Sequence, residues 1–142
     1  MKMKITGKLS GNMSFDIDQN GHTIIVDSDV QFGGEGKGPS PKGLLISGLI
    51  GCTGMDVVSI LRKMKVDFAD LEITAETEYT DEHPRVFRDI TLKYFLTGEN
   101  LDISKVKRAV ELSQTKYCGV SAMLSFNRVI KAEIFINGNK AS

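Results

Sequence analysis

The stretch SGLIGCTGMDVVSILRKMKV, Ser47 to Val66, is apolar on almost every side of a helix until Arg62-Lys63, yet it carries Cys52 and Asp56 one turn apart. Upstream, Ser40-Pro41 combines a residue that caps free amides with one whose fixed φ suits a first helical position, so a helix is expected from Pro41 to about Met64. Leu44, Leu45, Leu49, Cys52, Met55, Leu61 and Met64 share its broad apolar face. Gly43 to Leu61 approaches the roughly 17–25 residues of a membrane span. Asp56 would be costly in lipid, however, and the flanking segments alternate like half-buried strands, so a soluble protein without a membrane partner is expected.

A helix apolar nearly all round needs burial, and a domain this small has little interior to give it. Burial against a second copy solves the problem. Gly48, Gly51 and Gly54 weaken an isolated helix by about 1 kcal/mol each relative to Ala, which points to close backbone approach. The remaining composition is that of one ordinary domain spanning residues 1–142, with 41% hydrophobic and 25% charged residues. Lys plus Arg (18) equals Asp plus Glu (18). With no run of like charge, nucleic acid has no electrostatic claim, and a small molecule or a protein is the expected partner. The opening MKMKITGKLSGN lacks the apolar core of a signal peptide, so a cytoplasmic location is expected.

Strands frame the helix. Asn20-Gly21 between alternating segments marks a tight hairpin, because both residues tolerate positive φ. Leu71 to Tyr79 and Ile90 to Leu96 alternate as a second strand pair around TDEHPR, with Ile90, Leu92, Tyr94 and Leu96 inward. Asp102 caps a second helix, Ile103 to about Lys116, and Ile130 to Ile136 closes the chain as a strand ending at Asn137-Gly138. Strand pairs segregated around helices imply an α+β fold with antiparallel sheets packed on helices.

Two cysteines in a reducing compartment give poor grounds for a structural disulfide; a catalytic or redox pair and two inert thiols both remain open. Free Cys is often simply a small buried hydrophobe. Cys52 lies about three turns into its helix, beyond reach of that helix's dipole, and a carboxylate such as Asp56 disfavours a thiolate. A reactive Cys52 would need a cation from Arg85, Arg88, Arg128, a lysine of the Gly33–Gly43 loop or a partner chain. Cys118 falls where the second helix ends. His22 and His83 are isolated and no paired Cys or His spacing exists, so no zinc site is expected. GGEGKGPS lacks the first Gly and the Ser or Thr of a phosphate-cradling loop.

GPSPKGLLISGLIGCTGMDVVSIL, HPRVF and KYCGVSAML together resemble the OsmC/Ohr superfamily of osmotically inducible and organic hydroperoxide resistance proteins, most nearly its YhfA-like branch. The resemblance implies an intertwined α+β homodimer, sheets wrapped around paired central helices, with active sites at the interface. It implies a thiol-dependent reduction of organic hydroperoxides in oxidative-stress defence, with Cys52 peroxidatic, Cys118 resolving, a cellular dithiol as reductant and no metal or organic cofactor. The sequence departs from the superfamily's best-characterised peroxidases, which hold the reactive Cys with an N-terminal Arg and a Glu early in the central helix. Here no Arg precedes Arg62, and Lys42 occupies the helix position, as the substitute cation and substrate-binding residue. Two alternatives stand beside this reading. One is an OsmC-like dimer with little peroxidase activity that binds a small apolar or thiol-reactive ligand; the other is a purely structural interaction domain.

Overall fold

The computed structural model describes all residues from Met1 to Ser142. The chain forms two compact units, Met1–Ser47 and Gly48–Ser142. In the first, β1 (Thr6–Leu9), β2 (Phe15–Gln19) and β3 (His22–Val26) make an antiparallel sheet in the order β1-β2-β3. The β2–β3 turn is built as its sequence demands, with Asn20 at φ 54° and Gly21 at φ 79°. Beyond it a loop folds around Asp27, whose carboxylate accepts from the amides of Ser28, Glu35 and Lys37. Those amide donors hold its carboxyl below the usual range. Leu9, Phe15, Ile25 and Phe32 stay exposed, more apolar surface than three short strands can cover.

The helix α1 (Pro41–Lys63) begins in the first unit and continues through the second. It starts where Ser40-Pro41 predicts, the Ser40 hydroxyl accepting from Gly43 N at 3.2 Å. Its end is a left-handed cap: Lys65 has φ 58°, Lys65 N donates to Arg62 O, and Val66 N donates to Leu61 O. Leu49, Thr53, Val57 and Leu61, four residues apart, form its buried stripe. The rest of the helix is more open than expected, with Met55 77% exposed. By length and composition α1 could cross a membrane. Its central Thr53 and Asp56, however, find hydrogen-bond partners within the second unit.

The second unit carries a four-stranded sheet in the order β4 (Asp70–Glu76), β5 (Ile90–Thr97), β6 (Ile130–Ile136), β7 (Asn139–Lys140). Ile90, Leu92, Tyr94 and Leu96 of β5 are all buried, as their alternation predicts. Antiparallel pairing is expected and holds throughout the first sheet, whereas this sheet is mixed. β4–β5 and β6–β7 are antiparallel, but β5 and β6 run parallel, Ile90 opposite Ile130. The cause is the connection between them, α2 (Ile103–Leu112), a π turn (Ser113–Tyr117) and α3 (Gly119–Leu124). Such a helical crossover returns the chain to the end where β5 began. Asp102 caps α2 as expected, accepting from Ser104 N and Lys105 N. The second helix stops short of Lys116, because the chain widens into the π turn at Ser113.

Candidate active site

Cys52 projects from the middle of α1, half-buried, and Asp56 lies one turn later on the same side. The π turn then brings Cys118 to them. One ligand atom from each of Cys52, Asp56 and Cys118 lies within 4.8 Å of the other two. Both cysteines are reduced. A π turn admits an extra residue per helical turn and so re-aims the residues beyond it, a device frequent at functional sites. Cys118 ends that turn and opens α3, its sulfur accepting from Ser121 N at 3.3 Å. Cys118 is only 4% exposed. Burial pushes its thiol above the ordinary range; the hydrogen bonds to Ser121 oppose this, and the neighbouring Cys52 thiol adds to it.

Beneath the three side chains runs a hydrogen-bonded chain whose direction can be deduced. Ser113 Oγ donates to Asp56 Oδ2 at 3.0 Å, so its single proton is committed. Thr53 Oγ1, 2.8 Å from Ser113 Oγ, must then donate to it. Tyr94 Oη, 2.7 Å from Thr53 Oγ1, must donate to Thr53. Gln114 Nε2 supplies the remaining donor to both Thr53 Oγ1 and Tyr94 Oη, and its Oε1 accepts from Ser121 Oγ at 3.0 Å. The network therefore binds α1, β5, the π turn and α3 into one assembly that aims Asp56 and holds Cys118. Burial pushes the Tyr94 hydroxyl up to about 12, against the lowering influence of Thr53 and Gln114.

Of the residues singled out in the sequence, Cys52 and Cys118 come together. Lys42 stands in the first turn of α1, nearly three turns ahead of Cys52. Arg88 bonds to Tyr79 O and Asp81, and Arg128 to Phe87 O and Leu124 O; both line a cleft with Glu76 and Phe126 that does not contain the cysteines. Thr53, Tyr94, Ser113, Gln114 and Ser121 were not read as site residues from the sequence. Thr53 and Tyr94 hide among core positions of periodic elements. The other three gain meaning only through the π turn.

The family model described as OsmC-like protein matches residues 34–133, well over half the chain. Protein YhfA of Escherichia coli K12 is 42% identical over 105 residues, 74% of this chain and 75% of its own length. A crystal structure of a hypothetical protein from Aquifex aeolicus VF5 superposes with TM-score 0.86 at 27% identity, covering 96% of this chain and 97% of that one. An organic hydroperoxide resistance protein OsmC from Legionella pneumophila shares the fold, with TM-score 0.71 at 17% identity over 95% and 97% of the two chains. The match extends across the central helix and the Cys118 segment alike, and the chain belongs to the OsmC-like protein family.

Proposed function

We propose that the protein is a thiol-dependent reductase of organic hydroperoxides, with Cys52 the attacking thiol and Cys118 the resolving one. The observation that carries this is the pair itself: two reduced sulfurs no more than 4.8 Å apart, Cys52 half-buried and Cys118 buried. The Cys52 thiolate attacks the distal oxygen of ROOH and the O–O bond breaks. The alkoxide leaves as ROH after taking a proton, and Cys52 becomes a sulfenic acid. Cys118, deprotonated, attacks that sulfur; hydroxide leaves as water and a disulfide forms. The sulfurs must close to about 2.05 Å for this. A cellular dithiol then regenerates both thiols by exchange, as in the reducing cytoplasm where the protein is expected to act. No metal or organic cofactor takes part in these steps.

Such a reaction needs a cation at Cys52 to favour the thiolate and bind the peroxide. Lys42 of a second copy fills that role in our reading, within a homodimer whose α1 helices pack together. Purified reduced protein should consume cumene hydroperoxide with dithiol turnover. Cys52→Ser should abolish consumption, and Cys118→Ser should leave a sulfenic acid that a dimedone probe captures. Consumption no faster than a free-thiol control removes the enzyme reading. It would leave the alternative of an interface dimer that binds a small apolar or thiol-reactive ligand, which the groove lined by Ile50, Met55, Val58 and Ile73 along α1 supports.

A further inference from the structure

We propose that the reduced Cys52, Asp56 and Cys118 side chains form a binding site for a thiophilic divalent cation, Zn2+ by preference, so that metal binding and disulfide formation compete for the same two sulfurs. Two sulfurs and a carboxylate oxygen, all within 4.8 Å of one another, make a three-ligand set. At a Zn–S bond of about 2.3 Å a tetrahedral ion holds its sulfurs about 3.8 Å apart, so side-chain shifts of about 1 Å close the set. Two thiolates select zinc over magnesium or calcium, which prefer oxygen ligands. Three protein ligands would leave a fourth position for water or an exogenous thiolate.

The cluster is also supported from behind, which distinguishes it from a chance meeting of donors. Asp56 is oriented by Ser113, which is held in turn by Thr53, itself bonded to Tyr94. The Cys118 sulfur is positioned by Ser121 N, and Ser121 is anchored through Gln114. Partners of this kind fix ligand geometry in metal sites. Thiols bind the ion as thiolates, so binding releases protons, and the ion compensates the cost of charging the buried Cys118. A disulfide destroys both sulfur ligands, so oxidation must weaken ion binding and, by linkage, the bound ion must disfavour the disulfide to the same extent.

Calorimetric titration of the reduced full chain with ZnCl2 tests this without any measurement of turnover. One Zn2+ per chain is expected, binding more tightly than to dithiothreitol, with proton release seen as a dependence of the heat on buffer. Disulfide-oxidised protein and Cys118→Ser should lose the site. Asp56→Asn keeps both sulfurs and should weaken binding at least tenfold. Binding no tighter than to dithiothreitol, or equal binding by Asp56→Asn and wild type, would overturn the proposal. A zinc-binding protein without peroxide turnover would leave this inference standing and remove only the enzyme reading.

Discussion

Thr53 is the residue on which the site's geometry turns. Its hydroxyl is fully buried, donates to Ser113 and accepts from both Tyr94 and Gln114. Val has a similar shape but cannot do any of this: the buried Tyr94 hydroxyl would lose its acceptor, and Ser113 and the half-buried Gln114 would each lose one partner. Thr53→Val should therefore destabilise the protein by about 1–3 kcal/mol in urea unfolding, and Thr53→Ser by less. Disulfide formation between Cys52 and Cys118 should slow in the Val variant, since the anchoring of the π turn is lost. Tyr94 makes a pH prediction. Its folded pKa, about 12, lies above the ordinary 10.0, so its contribution is complete below pH 10 and disappears as pH rises toward 12. That displacement corresponds to roughly 3 kcal/mol at most. Alkaline unfolding monitored by tyrosinate absorbance should show one of the three tyrosines ionising late and together with loss of structure. That late phase should be missing in Tyr94→Phe.

Among the elements, α1 combines a well-packed stripe with an imperfect terminus. Leu61 is fully buried and begins the capping motif in which Val66, also buried, folds back toward it. Leu61→Ala should cost about 2–5 kcal/mol, the usual range for a buried Leu truncated to Ala. Lys65, by contrast, sits at φ 58° where glycine is the unstrained choice. Lys65→Gly should raise the urea midpoint, corresponding to about 1 kcal/mol of relieved left-handed strain. A fall in the midpoint would mean that the lysine side chain contributes more than its backbone costs. The glycines of the same helix need different reasoning. A Cβ added at Gly48 or Gly51 would meet nothing within 4 Å in a single chain. An isolated helix would thus gain about 1 kcal/mol from Gly51→Ala, and nothing within one chain accounts for the glycine.

For the whole molecule, that unexplained glycine joins a larger surplus of exposed apolar surface. Met55 is 77% exposed on the same helix, and Leu9, Phe15 and Phe32 lie open in the first unit. Monomers rarely leave so much apolar area bare, and a second copy is the cover we propose. Equilibrium sedimentation should give twice the 15.6 kDa of one chain, and Gly51→Leu, which fills the space for helix approach, should return the mass to a single chain. A single-chain mass for the wild type would refute the dimer and with it the role assigned to Lys42.

The sequence alone determined the parts of this protein that rest on local periodicity and local stereochemistry. The Asn20-Gly21 turn, the Ser40-Pro41 helix start, the alternation of Ile90, Leu92, Tyr94 and Leu96, and the Asp102 cap are each set by neighbours a few residues apart. Family membership was legible for a similar reason, since it rests on the order of residues around Cys52 and Cys118. The parallel pairing of β5 with β6 was not legible, because strand direction depends on a crossover of more than thirty residues. Nor was the meeting of Cys52, Asp56 and Cys118. It depends on one widened helical turn and on hydrogen bonds between residues up to 61 positions apart, which form only when α1, β5 and the π turn pack together.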